Sequence, residues 1–386
     1  MKPLHLLLSL SLLNHLSFVG TRLAVLIYAA HLNASPAVIG VLAALFAIFS
    51  ALTSVSVGRW IDRSGPRGPM LYGTIFMVAG GVLAFLWREV AALFIVAVVV
   101  GTFHNVFHMV QAQLVGRYGE PKDRAANFSL SSLSNSAASF LGPVIAGFGI
   151  DHIGHPNTFL GLAFFALLPL PIILANLLTF PPVPEGAAKS KHDAAGSAWS
   201  LLRDPPLLRI YIVSILANGT WSVVNFMLPL YGLQIGLDAT RIGTMMGVFA
   251  AATVLIRLGL PFIIRFLLPW QLMVVSLFAS GTGFLMVPFT EAFVPLTLIC
   301  FWIGIGLGLS GPMTMTLLYE ASPPNRQGEV IGMRVTVQNV CQAAVPLFSG
   351  VVGAAMGVGP VFWAISALIL WGCFHNRGQL RGPLRK

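Results

Sequence analysis

The chain is short of charge. Only 9% of its 386 residues are Asp, Glu, Lys or Arg, while 56% are hydrophobic. A water-soluble globular chain carries about 25% charged residues, so most of this one cannot face water. Acid is scarcest, with 12 Asp and Glu against 22 Lys and Arg. The carboxylates are Asp62, Glu89, Glu120, Asp123, Asp151, Glu185, Asp193, Asp204, Asp238, Glu291, Glu320 and Glu329. Each falls in a loop or within a turn or two of the end of an apolar run. A cation site deep in a membrane is therefore disfavoured. Cysteine is limited to Cys300, Cys341 and Cys373. All three lie inside apolar runs, so no disulfide framework or metal pattern follows and they read as small packing residues. No G-x-x-x-x-G-K-[ST] phosphate loop occurs. Nor does any nucleophile–base pair or metal cluster stand out, so the chain does not read as an enzyme and implies no cofactor and no metal. The runs also lack the polar/apolar alternation of barrel strands.

What is present is a series of apolar runs of membrane-spanning length, about 20 residues each. They predict an all-α integral membrane protein with twelve transmembrane helices, at roughly 5–30, 37–58, 70–87, 90–118, 124–150, 158–180, 207–234, 240–265, 271–289, 293–319, 330–356 and 360–375. The first run is too long for a signal-peptide core and is read as a retained span. Segment 181–206 carries Pro181, Pro182, Pro184 and Gly186 with a Lys-Ser-Lys-His-Asp stretch. It reads as a linker between an N-terminal six-helix bundle (1–180) and a C-terminal one (207–376), followed by a basic tail (377–386).

The net charge of +10 invites a nucleic-acid reading, but its distribution argues for topology instead. All Lys and Arg except Arg22, Arg88, Arg241 and Arg257 fall on one side if the N-terminus is cytoplasmic. That is the positive-inside bias, with both termini in the cytoplasm. The expected location is a bacterial plasma membrane, with the lipid bilayer and a small molecule as partners.

A shift of 203 residues aligns Tyr28 with Tyr231, Ile39-Gly40 with Ile242-Gly243, and Phe46 with Phe249. It also aligns Gly101 with Gly304, Pro121 with Pro324, Pro143 with Pro346 and Gly147 with Gly350. One offset across four helix pairs indicates an internal repeat of six helices.

Between the second and third runs lies Gly58-Arg59-Trp60-Ile61-Asp62-Arg63-Ser64-Gly65-Pro66-Arg67. Gly58, Asp62, Arg63, Gly65 and Arg67 fit the pattern G-x-x-x-D-R-x-G-x-R. This resembles the signature loop of the major facilitator superfamily, and the parallel six-helix repeat is that family's arrangement. The resemblance implies a pseudo-symmetric pair of six-helix bundles and a secondary transporter working by alternating access, with a coupling proton or ion. We expect it to act as a monomer. It also implies a cytoplasmic latch in which Asp62 caps the eleventh helix near Glu329 to Gly332, with Arg334 close by. Arg63 and Arg67 are within reach of Glu120 or Asp123. The second half has Pro261 and Arg265 where Gly58 and Asp62 would repeat, and Glu320 with Arg326 or Arg334 is the candidate matching latch. In the fifth run, Gly142-Pro143 and Gly147 resemble part of the helix-five motif of drug–proton antiporters, with Ala138 and Ala146 replacing two of its glycines.

Basic groups do occur within spans. Arg22 follows His15 by seven residues on one helical face, about 10 Å along the axis. His104, His108 and Gln111 form a stripe on the fourth helix, and Arg257 lies on the eighth. An arginine at the bilayer centre costs roughly 2.5–3.5 kcal/mol, so a lipid-facing one without a partner is disfavoured. Facing water, it can hold an anion through bidentate hydrogen bonds. Asn14, Asn218, Trp221, Asn225, Gln338 and Gln342 complete the candidate substrate-binding set. Each also has a bland reading: arginines near span ends snorkel, and polar side chains pack membrane helices. These residues point to a small organic anion as substrate. The alternative is proton-coupled drug or metabolite efflux. A non-transporting receptor on the same fold is the alternative from another class.

Overall fold

The computed structural model describes residues 3–118, 124–178, 180, 203–322, 327–376 and 378. The first helices are α1 (Pro3–His31), α2 (Pro36–Ser64), α3 (Arg67–Leu86), α4 (Val90–Arg117), α5 (Arg124–Ile153), α6 (His155–Leu167) and α7 (Pro169–Leu174). They are followed by α8 (Pro205–Gln234), α9 (Ala239–Ile263), α10 (Pro269–Met286), α11 (Phe293–Ala321), α12 (Gln327–Met356) and α13 (Val358–His375). No strand occurs among the described residues. Twelve helical segments there are long and apolar enough to cross a membrane, with α6 and α7 together supplying one, His155–Leu174.

Two boundaries differ from the sequence expectation, each for a local reason. The second helix was expected to end near Gly58, yet α2 continues to Ser64 and stops at Gly65, whose φ of 76° favours glycine. The Asp62–Arg63 pair therefore belongs to the last turn of a helix, and the connection to α3 shrinks to Gly65-Pro66. The sixth span was expected as one helix over 158–180. It breaks at Leu168, where Pro169 starts the new helix α7 and neither Pro169 nor Pro171 has an N–H to continue the old ladder. At the other end of α2, Ser35 accepts a hydrogen bond from Val38 N and Pro36 occupies the first turn.

The helices form two compact units. The first contains α1–α7 and the opening residues of α9 as far as Gly247; the second contains α8, the rest of α9 and α10–α13. In the first unit, a buried apolar cluster includes Leu7, Leu10, Ile61, Met70, Phe107 and Leu114. Helices cross where side chains are missing. A Cβ on Gly20 would meet Leu162 and the Gly142 carbonyl, one on Gly80 would meet Val100, and one on Gly101 would meet the Phe46 carbonyl. Close backbone approach through small residues is how membrane helices pack without a water-driven hydrophobic force.

The second unit reproduces this scaffold at the same spacing of 203 residues. A Cβ on Gly283 would meet Ile303, as Gly80 does Val100, and one on Gly304 would meet the Phe249 carbonyl, as Gly101 does that of Phe46. The aromatic pairs repeat as well: Tyr28–Phe159 and Tyr231–Phe362, at centroid distances of 5.9 and 5.7 Å. Even the turns correspond. Asn33 and Gly236 both have positive φ, as do Gly154 and Gly357. The offset read from a handful of residues thus corresponds to repeated physical contacts.

Candidate functional site

Within the first unit, α1, α4 and α5 bring a polar chain together. Gly20 and Gly142 allow α1 and α5 to approach closely, since a Cβ on Gly142 would lie 3.0 Å from the Leu16 carbonyl. His104 on α4 donates from Nδ1 to Asn14 Oδ1 on α1 at 2.9 Å. Its Nε2 lies 3.3 Å from His15 Nδ1, and His15 Nε2 lies 3.3 Å from Ser139 Oγ on α5. The Ser139 hydroxyl donates to the Asn135 carbonyl at 2.9 Å. Phe18 stacks on His104 with centroids 3.9 Å apart, and the His108 ring lies 6.1 Å from that of His104. His104 and Asn14 are buried, while His15 and His108 are partly exposed. Gln111, the third member of the α4 stripe, donates to Ser131 Oγ at 3.0 Å and is buried.

Arg22 follows on α1. Its Nε is buried and has no hydrogen-bond partner. No carboxylate occurs in the sequence of α1, α4 or α6, and Asp151 at the far end is the one in α5. Arg257 differs: its Nε donates to the Gly308 carbonyl at 3.2 Å within the second unit. One guanidinium thus retains an unpartnered donor and the other has a local acceptor.

In the second unit, the candidate amides on α8 are held by their own helix. Asn218 donates to the Ser214 carbonyl at 2.8 Å and to Ser214 Oγ at 3.1 Å. Asn225 donates to the Trp221 carbonyl at 2.8 Å. Trp221 packs on Phe249 at 5.1 Å, the repeat of Phe18 on Phe46 at 6.0 Å. Gln338 and Gln342 on α12 are partly exposed. The repeat spacing pairs His15 with Asn218, Arg22 with Asn225, Asn135 with Gln338 and Ser139 with Gln342. Sequence reasoning missed Asn135, Ser139 and Phe18, and carrying the candidates Gln338, Gln342 and Trp221 back by the same offset would have flagged them.

The proposed latch residues are only partly described. The side chain of Asp62 lies outside the described residues, as do Glu120, Asp123 and Arg326. Gly58 packs near Met109, with 3.7 Å available to a Cβ. Arg63 is exposed. Arg67, expected near Glu120 or Asp123, donates to the Leu174 carbonyl at 3.1 Å. That oxygen belongs to the last residue of α7, where free carbonyls and the helix dipole favour a cation. Glu320 is exposed, Arg334 keeps an unpartnered buried Nε, and no ion pair joins the two among the described residues.

The helix-five residues have a packing role in the first unit. A Cβ on Gly147 would meet the Ala239 carbonyl, and one on Gly243 would meet the Pro143 carbonyl. Near this contact Asp151 accepts from the backbone N–H groups of Ala239, at 3.2 Å, and Thr240, at 2.6 Å. These free donors open α9, and a carboxylate is favoured there. Sequence reading did not assign Asp151 this role.

Among the described residues, twelve membrane-length helical segments in two repeated units, with polar groups deep inside spans, define a multi-pass membrane protein of the transporter class. The Major Facilitator Superfamily family model matches residues 7–346, and the chain belongs to that superfamily. It is similar to the multidrug resistance protein MdtG of Klebsiella pneumoniae (strain 342), 23% identical over 87% of this chain and 82% of that protein. It is also similar to the multidrug resistance protein MdtH of Aeromonas salmonicida (strain A449), 23% identical over 71% of this chain and 68% of that protein. Among solved structures, the nucleoside transporter NupG superposes with a TM-score of 0.76 at 14% identity, covering 99% of this chain and 100% of that one. The last likeness concerns fold alone.

Proposed function

We propose that this transporter exports amphipathic organic molecules from the cytoplasm by alternating access, and that anionic ones are its preferred cargo. The observation that carries the charge preference is Arg22: a membrane arginine with a buried, unpartnered Nε and no carboxylate on its own helix. A guanidinium in that position is favoured when an anion completes its hydrogen bonds. Export is supported by the relatives named for multidrug resistance. In this reading Arg22 holds the anionic group of the cargo. Cargo binding drives the cycle only through its different affinity for the two access states. The basic bias of the loops supports a plasma-membrane orientation with residues 181–206 and both termini inside. The Asp62 latch belongs to the same reading.

The test is transport by the purified protein in proteoliposomes, using carboxyfluorescein as the anionic probe and ethidium as the lipophilic cation, with and without a pH gradient. Faster movement of carboxyfluorescein is expected. The second reading, broad multidrug efflux, follows from the same relatives and predicts ethidium transport that is insensitive to Arg22→Gln.

A further inference from the structure

With Asn14 Oδ1 facing His104, the part-buried chain Asn14–His104–His15–Ser139 has one hydrogen too few when both histidines are neutral. Three contacts link it: Asn14 Oδ1 to His104 Nδ1, His104 Nε2 to His15 Nδ1, and His15 Nε2 to Ser139 Oγ. Each needs one hydrogen. Asn14 Oδ1 supplies none, because a carbonyl oxygen only accepts. Ser139 supplies none either while its hydroxyl donates to the Asn135 carbonyl. The two rings must then supply three N–H groups, and two neutral imidazoles hold two. With the amide and hydroxyl so oriented, the chain fits a pair carrying one extra proton shared across the ring–ring contact; it fits a neutral pair once the Asn14 amide, whose buried Nδ2 has no partner, turns to donate to His104 Nδ1.

We propose that His15 and His104 together form a single-proton binding site that couples transport to the proton gradient. Its role rests on the transport reading above. A proton from water forms the Nε2–H bond of His15, and that N–H donates to Ser139. On release the same bond breaks and the proton returns to water. The Ser139 hydroxyl then rotates from the Asn135 carbonyl to donate to His15 Nε2. His15 Nδ1–H donates to His104 Nε2, and His104 Nδ1–H still donates to Asn14. Both states satisfy all three contacts, and rotation of the Ser139 hydroxyl or of the Asn14 amide separates them.

The surroundings suit this role. His15 is partly exposed while His104 is buried, so the proton has an entrance and a sheltered partner. The titratable and charged groups near the pair are few. His108 faces it from α4 at 6.1 Å ring to ring. Arg22 lies on α1, about 10 Å along the axis. From α5 the facing groups are the neutral Asn135 and Ser139. The ionisable residues of α2 and α6, namely Arg59, Asp62, Arg63 and His155, are at helix ends. No carboxylate competes for the proton mid-span. The second unit has no equivalent, because the repeat spacing places Asn218 and Leu307 where His15 and His104 stand.

The decisive experiment titrates 15N-histidine-labelled protein in lipid nanodiscs by NMR, with His15→Gln and His104→Gln for assignment. The resonances of both rings are expected to move together in one step between pH 4 and 9. Either Gln variant should abolish the shared step while keeping the parent's thermal melt within a few degrees. Ser139→Ala should shift the step to lower pH by removing an acceptor of the protonated form, and Ser139→Thr should restore it. Rings that titrate in separate steps, or do not titrate in that window while the protein stays folded, overturn the proposal.

A second arm follows carboxyfluorescein and ethidium in proteoliposomes. His15→Gln should lose accumulation driven by a pH gradient but retain exchange without one. Equal loss of both points to a merely structural role and overturns the coupling. A parent protein that moves neither probe counts against the transport reading, while the nitrogen titration still decides the proton site.

Discussion

The two six-helix units share a skeleton and differ in what the skeleton carries. Gly101 on the Phe46 carbonyl and Gly304 on that of Phe249 are the same helix crossing built twice. Phe18–Phe46 and Trp221–Phe249 are the same aromatic contact. At the positions between them the chemistry diverges. The first unit has His15, Arg22, His104 and His108, and the second has Asn218, Asn225, Leu307 and Gly311. At these four positions ionisable groups stand in one copy, and neutral or apolar ones in the other. Backbone crossings tolerate little change because a single Cβ would collide, whereas the side chains at these other positions differ between the copies while the crossings stay the same.

The largest expected effect strikes the shared skeleton in both copies. Gly101→Leu and Gly304→Leu each push a branched side chain into a backbone carbonyl. Overpacking of this kind costs about 1–3 kcal/mol and sometimes more. Both variants should give a low yield of monodisperse protein and a depressed melting temperature, to similar extents. Tolerance of one and not the other would break the equivalence of the crossings.

A smaller effect separates the copies. Asp151 caps the opening N–H groups of α9, and its repeat counterpart is Ala354. Losing such a cap costs about 0.5–2 kcal/mol. Asp151→Ala should lower the melting temperature by a few degrees, with Asp151→Asn recovering part of the loss. An unchanged melt for Asp151→Ala would remove the cap from the list of differences.

The smallest effect sharpens the aromatic repeat. Tyr231 donates its hydroxyl to the Thr290 carbonyl at 3.1 Å, while Tyr28 is placed by ring contacts with His31 and His155. Tyr231→Phe should destabilise by about 1 kcal/mol, and Tyr28→Phe by less, about 0.5 kcal/mol or under. Thermal melts of the two variants in parallel measure the difference. Equal shifts would mean that the hydroxyls, like the rings, are equivalent.

Much of the fold was legible because its signals are local and repeated. Apolar runs mark spans, and residues such as Gly101 and Gly304 mark the repeat. The break at Leu168 was not legible, because Pro169 and Pro171 sit in a run whose hydropathy continues unbroken. The contact of Arg67 with the Leu174 carbonyl was not legible, because a free helix-end carbonyl leaves no mark in the sequence. His15, His104 and His108 were picked out singly by being polar within spans. Their assembly with Ser139 was hidden, since serines on membrane helices more often bond their own backbone, as Ser50 and Ser280 do.

The central claim is that charge recognition resides in the first unit, at Arg22, and not at its neutral counterpart Asn225. Equilibrium binding of carboxyfluorescein to purified Arg22→Gln and Asn225→Ala tests it most directly. A charge-assisted hydrogen bond contributes about 1.5–3 kcal/mol, so Arg22→Gln should weaken the anion by roughly 10- to 150-fold with little change in thermal melt. Asn225→Ala should leave it within about threefold. Comparable losses in both variants, or unchanged affinity in Arg22→Gln, would contradict the account.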